Sequence, residues 1–212
     1  NIGDNVITTL DVDLQQAASD ALGDRKGAVV GMEPDTGKIL AMVSKPGFDP
    51  NTLAADWESL ISGDNTQAQL LNRATQGVYP PGSTFKIVTI LEYMREHPTD
   101  WQEYTFDCDG KFEYGDYTIS CYHGNAHGHQ TLEEAFANSC NGAFASLGLT
   151  LDLQGMLDLT GQLLFNQELP LSLAYSKGPY AMGTGADDWE RLQTAIGQGN
   201  TQMTPMHNAM IT

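Results

Sequence analysis

The sequence predicts an α+β fold, and three observations carry that prediction. Two apolar, β-branched runs, Gly27-Ala-Val-Val-Gly-Met-Glu33 and Lys38-Ile-Leu-Ala-Met-Val-Ser44, flank a Pro34-Asp-Thr-Gly37 turn and read as a β-hairpin. From residue 50 onward the pattern is one of helices and loops. The composition is that of a folded chain: 212 residues, 41% hydrophobic and 17% charged, are enough for one domain with a substantial core.

The elements follow in order. Before the hairpin, the stretch from Thr9 to Leu22 sets Leu10, Leu14, Ala17, Ala18, Ala21 and Leu22 on one face, which predicts an amphipathic helix stopped by Gly23. Helices are expected over 83–96, 131–138, 142–149 and 188–196. The first is apolar nearly all round and is expected to be central and buried. The second opens on a capping box, Thr131-Leu-Glu-Glu134, and Asp187-Asp188 is an acidic pair at the start of the fourth. Residues 104–130, rich in Gly, Tyr, Asp and His, read as a loop or an irregular β insertion. Thr204-Pro205 is an N-cap and first-turn pair for a helix that has no stop signal before Thr212. A lone hairpin is marginal without further strands or helix packing. The expectation is therefore one partial domain over 1–212, its strand-rich remainder lying beyond Thr212.

Charge narrows the function. Twenty-seven acidic against ten basic residues give a net charge of −17, which disfavours nucleic acid and anionic lipid as partners. No apolar run reaches the roughly 20 residues needed to cross a bilayer. Three cysteines allow at most one internal disulfide.

The chemistry concentrates in Pro80-Pro81-Gly82-Ser83-Thr84-Phe85-Lys86. Pro and Gly punctuate the chain just before a helix, so Ser83 falls at a helix N-terminus, where free N–H groups favour developing negative charge. Residues three apart share a helix face, which sets Lys86 beside Ser83. A serine needs a neighbouring base to become a nucleophile, and a buried lysine is shifted toward its neutral, basic form. Taken alone, Ser-x-x-Lys arises often by chance at helix starts and favours a serine cap and a lysine reaching solvent. The apolar helix around Lys86 favours the chemical reading. A second element, Ser139-Cys140-Asn141, reads either as a helix break or as a relay hydroxyl and an orienting amide.

In this order, Ser83-x-x-Lys86 and Ser139-x-Asn141 resemble the motifs of penicillin-binding proteins and serine β-lactamases. The resemblance runs along nearly the whole chain. It includes the hairpin, Pro46-Gly-Phe-Asp-Pro-Asn51, the run from Asn72 to Ile87, Ala195-Ile-Gly-Gln-Gly199 and Thr204-Pro205. The wording around Ser83 is most similar to class B transpeptidases of the cell-elongation type. The resemblance implies the α+β transpeptidase fold, with only the first hairpin of its antiparallel sheet present beside the helical region. It implies peptidoglycan D,D-transpeptidation, inhibited covalently by β-lactams. Ser83 would be the nucleophile and Lys86 its general base, Ser139 and Asn141 would position protons and substrate, and the Ser83 N–H would supply half of an oxyanion hole. Expected partners are D-Ala-D-Ala stem peptides, β-lactams and a membrane glycan polymerase. The implied location is the extracytoplasmic face of the membrane, with no cofactor and no metal. Alternatives on the same motifs are a D,D-carboxypeptidase or β-lactamase, and a β-lactam-sensing domain.

One departure stands out: the third family motif, Lys-Thr-Gly, occurs nowhere, and Lys177-Gly178-Pro179 is no substitute. Weak or absent acylation by this chain alone is therefore expected, and its unpaired hairpin edge invites self-association. Cys108 and Cys121 are close enough in sequence for a loop-closing disulfide. With two of His123, His127 and His129 they also compose a donor set for zinc, although the spacing fits no standard finger. Cys140 reads as a small buried filler. His97-Pro98 ends the Ser83 helix, and Tyr79, Trp189, Met203, Met206 and Met210 read as core or cleft wall.

Overall fold

The computed structural model describes residues 5–212. They fall into two compact units, taken here in turn. The first comprises the chain through Tyr79, Pro170–Ser176 and Thr204–Ile211; the second comprises Pro80–Leu169 and Lys177–Met203.

In the first unit, the predicted hairpin forms from β1 (Gly27–Met32) and β2 (Ile39–Lys45), with Gly27 opposite Lys45 and a bulge at Gly31/Met32. Gly37 closes the turn at φ 69°, donating its N–H to Glu33 O at 2.8 Å. The predicted helix before it is α1 (Val12–Leu22), capped by the Asp11 carboxylate and stopped by Gly23 at φ 57°. Its apolar side is only partly covered, Leu14 being 42% exposed. The helix start secures the outer edge of β2. Asp11 N–H donates to Leu40 O, and the Gln15 carboxamide brackets Met42, accepting from its N–H at 2.7 Å and donating to its O at 2.9 Å. The hairpin edge expected to be open is thus occupied on the β2 side.

Helix α2 (Leu53–Ile61) escaped the sequence reading. The run from Asn72 to Gln76 is pinned by Arg73, whose guanidinium donates to Gln67 O and Ala68 O, and by Thr75, which donates to Ala174 O. The final helix α8 (Pro205–Ile211) starts as predicted: the Thr204 hydroxyl accepts from His207 N–H at 3.0 Å, and Pro205 fills the first turn.

The second unit holds the rest of the helices. A 3₁₀ turn, Gly82–Phe85, leads into α3 (Lys86–Glu96). Sequence suggested a helix apolar and buried all round. Instead α3 buries one face (Lys86, Val88, Thr89, Glu92 and Tyr93) and leaves Leu91 40% exposed. Two polar members of the buried face find partners there: Thr89 donates to Ala195 O, and Glu92 pairs with Arg95 at 3.0 Å.

The 104–130 segment is ordered as two small antiparallel ladders. β3 (Thr105–Cys108) pairs with β6 (Gly128–Thr131), and β4 (Lys111–Tyr114) pairs with β5 (Tyr117–Ser120). Thr131 then opens α4 (Leu132–Ala137) with the predicted capping box in place. α5 (Asn141–Thr150) is the buried hub, with Ala143, Phe144 and Ala145 fully covered. α6 (Leu153–Gln162), unpredicted, follows directly, and α7 (Asp188–Ala195) crosses α5. Among the described residues, no helix is long and apolar enough to cross a membrane.

Candidate active site

Ser83 is the second residue of the 3₁₀ turn and is exposed; in that first turn its N–H has no acceptor four residues back. The turn is held from two sides. Phe85 is buried against Phe165 and Tyr180, at centroid distances of 5.9 and 6.2 Å. Gly82 (φ 59°) donates its N–H to Gly197 O at 2.8 Å. The approach is so close that a Cβ on Gly197, itself at φ 73°, would lie 1.8 Å from Gly82 O. Only glycine fits there. This accounts for the Ile196-Gly-Gln-Gly199 segment, whose sequence showed glycines without showing what they approach.

Lys86 lies one turn further on, 1% exposed. Its ammonium uses all three donors on the second motif, reaching Ser139 O at 2.7 Å, Ser139 Oγ at 3.0 Å and Asn141 Oδ1 at 2.8 Å. Ser139 Oγ donates in turn to Ser83 Oγ at 2.9 Å. The four residues singled out from sequence therefore converge. The connection between Ser83 and Lys86 runs through the Ser139 hydroxyl, whereas the helical spacing alone suggested a direct pair.

Local structure explains how Ser139 is aimed. Its N–H bonds to Phe136 O and the Cys140 N–H to Ala135 O, which is the Schellman ending of α4. Ser139 occupies the left-handed position of that ending, φ 50°, where glycine is usual. A non-glycine residue there carries local backbone strain, and in return a hydroxyl projects where glycine offers none. Asn141 begins α5, and its Nδ2 donates to Ser120 O on β5 at 2.9 Å, which fixes its oxygen toward Lys86.

Burial lowers the Lys86 pKa from its ordinary value to about 8, partly offset by the thiols of Cys140 and Cys121. The Phe144 ring lies 5.4 Å from Nζ and walls the ammonium from water. An amine titrating near 8 can hold or give up a proton at physiological pH, and the Ser139 hydroxyl connects it to the exposed Ser83 oxygen.

A family model for the penicillin binding protein transpeptidase domain matches residues 27–212. The chain belongs to the penicillin-binding protein transpeptidase family. Among curated members, the peptidoglycan D,D-transpeptidase PbpA of Mycobacterium tuberculosis is 37% identical over 99% of this chain and 45% of its own length. The MrdA transpeptidase of Acinetobacter baumannii is 34% identical over 99% of this chain and 33% of its own. The chain thus spans half or less of these relatives. Penicillin-binding protein A of M. tuberculosis, solved as a ceftriaxone acyl-enzyme complex, superposes with a TM-score of 0.85 at 32% identity, covering 96% of this chain and 49% of that one. The D,D-transpeptidase domain of an Eggerthella lenta peptidoglycan glycosyltransferase gives 0.85 at 32% identity, over 95% and 52%. The partial α+β transpeptidase fold inferred from sequence is therefore that of this family.

A second cluster of this family member lies against the first. Cys108, Cys121 and Cys140, all buried, and the half-buried His127 bring their donor atoms within 4.8 Å of one another. Cys108 Sγ lies 3.6 Å from Cys121 Sγ and 3.3 Å from His127 Nδ1, and Cys121 Sγ lies 3.8 Å from Cys140 Sγ. All three thiols are free. Three sulfurs and an imidazole are a donor set for a four-coordinate soft or borderline cation such as zinc. The sequence reading had named Cys108, Cys121 and two histidines. It missed Cys140, which is 32 residues from Cys108 but meets it in space. His129 instead pairs with Asp107 across the β3–β6 ladder, and His123 packs edge-on against Tyr122.

Proposed function

We propose that this chain carries the acyl-serine site of a peptidoglycan D,D-transpeptidase. The observation that carries the reading is the hydrogen-bonded series Ser83 Oγ–Ser139 Oγ–Lys86 Nζ, closed by Asn141 Oδ1. Ser83 is the nucleophile, Lys86 the base, Ser139 the relay and Asn141 the group that orients the lysine.

With Lys86 protonated, the donors run from lysine through Ser139 to Ser83. When Lys86 is neutral the series reverses: Ser83 gives its proton to Ser139, which gives its own to Lys86. The Ser83 oxygen then attacks the carbonyl of a D-Ala-D-Ala amide, and the Ser83 N–H meets the developing oxyanion. With Ser83 Oγ now bonded to the carbonyl carbon, the proton taken up by Lys86 returns through the Ser139 hydroxyl to the departing D-alanine amine. The remaining acyl-enzyme is resolved by an amine from a second stem peptide. β-Lactams enter by the same attack and stop at the ester. Both compact units belong to one such domain on this reading, since the family match crosses both. Stem peptides are the substrates, a membrane glycan polymerase is the working partner, and the site faces the extracytoplasmic side of the membrane.

The test is intact-mass spectrometry after incubation with excess benzylpenicillin, with Ser83→Ala beside it. A single adduct of one penicillin mass, lost in the variant, is expected. Because Lys-Thr-Gly is absent from the 212 residues, the adduct should form slowly. An adduct that persists in Ser83→Ala would remove Ser83 from its role.

A further inference from the structure

The β4–β5 hairpin carries an apolar face that its own packing does not use up. Its register pairs Phe112 with Ile119 and Tyr114 with Tyr117. Alternate residues of a strand share a face, so these four side chains lie on one side. At the base of the hairpin that side is core. Ile119 is buried, and Phe112 joins Phe106 over Gly142 of α5, where a Cβ would lie 3.1 Å from Phe106 Cε1 and 3.4 Å from Phe112 Cβ. At the tip the same side is open: Tyr114 is 44% exposed and Tyr117 37%. Trp189, the second residue of α7 and 36% exposed, stacks on Tyr117 with ring centroids 5.1 Å apart and 27° between the planes.

The three rings sit on fixed backbone. Gly115, at φ 57°, and Asp116 make a two-residue turn between Tyr114 and Tyr117. Trp189 follows the Asp187 cap, whose carboxylate accepts from Glu190 N–H at 2.8 Å.

Two paths tie the rings to the acyl-serine site. Along β5, Ser120 lies three residues from Tyr117, a span of about 10 Å, and its O accepts from Asn141 Nδ2 at 2.9 Å. Along α7, about 9 Å of helix leads from Trp189 to Ala195. Two residues further on, Gly197 O accepts from the N–H of Gly82, next to Ser83. The rings therefore stand about 10 Å from the rim of the site on either path.

The chemistry of the patch selects its ligand. Open aromatic faces bind flat C–H surfaces, and one side of a sugar ring is such a surface. Asp116, exposed between the two tyrosines, accepts from hydroxyl and amide donors. The net charge of −17 disfavours an anionic chain. A neutral, N-acetylated hexosamine strand satisfies all three conditions. The inference rests on the transpeptidase reading for its biological ligand, since a stem peptide is carried on such a strand. About four extended residues between sugar and scissile amide span at most roughly 14 Å. That reach covers the separation between the rings and the site.

We propose that Tyr114, Tyr117 and Trp189 form a glycan platform: a neutral, N-acetylated hexosamine strand lies on their rings while the peptide it carries reaches Ser83.

The experiment titrates the whole chain with chitotetraose, a peptide-free tetramer of N-acetylglucosamine. Saturation-transfer NMR should deliver signal to the axial protons of one sugar face. In the Trp57→Phe, Trp101→Phe chain Trp189 is the sole tryptophan, and its emission should change in step. Trp189→Ala should weaken the affinity about tenfold, and Trp189→Phe should restore most of it. Tyr114→Ser, at the most exposed of the three rings, should weaken it as well, and serves where Trp189→Ala lowers the melting temperature. Absence of transfer at about 20 mM probe, or transfer undiminished in both Trp189→Ala and Tyr114→Ser, would overturn the proposal. So would a dimer that depends on Trp189 and shows no sugar signal, since the rings would then belong to a second copy. The probe carries no peptide and needs no acylation. A benzylpenicillin adduct at Ser83 without a sugar signal therefore sinks the platform alone, and an adduct that persists in Ser83→Ala sinks the transpeptidase reading while the sugar signal stands.

Discussion

Lys86 is the residue on which the proposed chemistry turns, because a base must be neutral to act. Burial brings its pKa to about 8, the thiols of Cys140 and Cys121 opposing the shift. The sign follows directly. Below 8 the ammonium dominates and the donors point toward Ser83; above 8 the free amine accepts from Ser139. At pH 7 about one-tenth of the molecules carry the neutral base, against about one in three thousand for a lysine at its ordinary value. Acylation by benzylpenicillin, followed by mass against time, should therefore rise about tenfold per pH unit up to 8 and level beyond it. A profile flat from 6 to 9 would remove Lys86 as the base. Sequence made Ser83 and Lys86 legible because one helical turn fixes their relation. The sequence offered Ser139 as a relay hydroxyl or as part of a helix break, and its position between the other two was not legible. It depends on Ser139 taking a left-handed position at the end of α4, and on α4 meeting α3 across 53 residues.

Among the elements, α5 sets the positions of Asn141 and Cys140, and α7 sets α5. The crossing point is Gly148, where a Cβ would lie 2.5 Å from Ala195 Cβ and 2.8 Å from Arg191 O. Arg191 completes the junction by donating to the carbonyls of Gly148, Leu149 and Leu151, which α5 leaves unsatisfied at its C-terminus. Helix propensity alone says that Gly148→Ala gains about 1 kcal/mol. The crossing says the opposite, since backbone and a packed methyl must both give way, at a cost of about 1–3 kcal/mol or more. A lower denaturation midpoint for Gly148→Ala is expected, and a higher one would show that the helices separate freely. The elements read best in sequence were those with local signals: the Pro-Asp-Thr-Gly hairpin, the Thr131 capping box and the Thr204-Pro205 start. α6 was missed because Gly155 and Gly161 lower its propensity, although Asp152 caps it and Glu92 packs where a Gly155 side chain would stand. The 104–130 segment read as a loop or an irregular β insertion, and its strands were not delimited because four-residue strands bury only alternate side chains, such as Cys108 and Ile119.

At the scale of the whole molecule, the excess of 27 acidic over 10 basic residues is not offset by pairing. The ion pairs among the described residues, such as Lys38–Glu33, Lys111–Glu113 and Lys177–Glu168, join largely exposed partners. Such pairs contribute little each. The remaining charge repels itself, and folding brings it closer together, so stability carries an electrostatic cost that salt screens. Raising sodium chloride from about 0.02 to about 0.5 M shortens the screening length from roughly 20 to roughly 4 Å, below the spacing of most surface charges. The melting temperature should rise by a few degrees, as about 1 kcal/mol shifts it by 2–4 °C for a chain of this size. Because the chain forms two compact units, calorimetry is the measurement to use, so that two transitions, if present, are followed separately. A fall with salt in both would mean that specific ion pairs outweigh net repulsion. Substitution can locate the effect: Glu133→Gln and Glu134→Gln both remove charge, but Glu134 also closes the capping box with Thr131 N–H at 2.8 Å. Glu133→Gln should recover part of the salt effect at low ionic strength, whereas Glu134→Gln should keep the box, since glutamine also caps, and recover the same part.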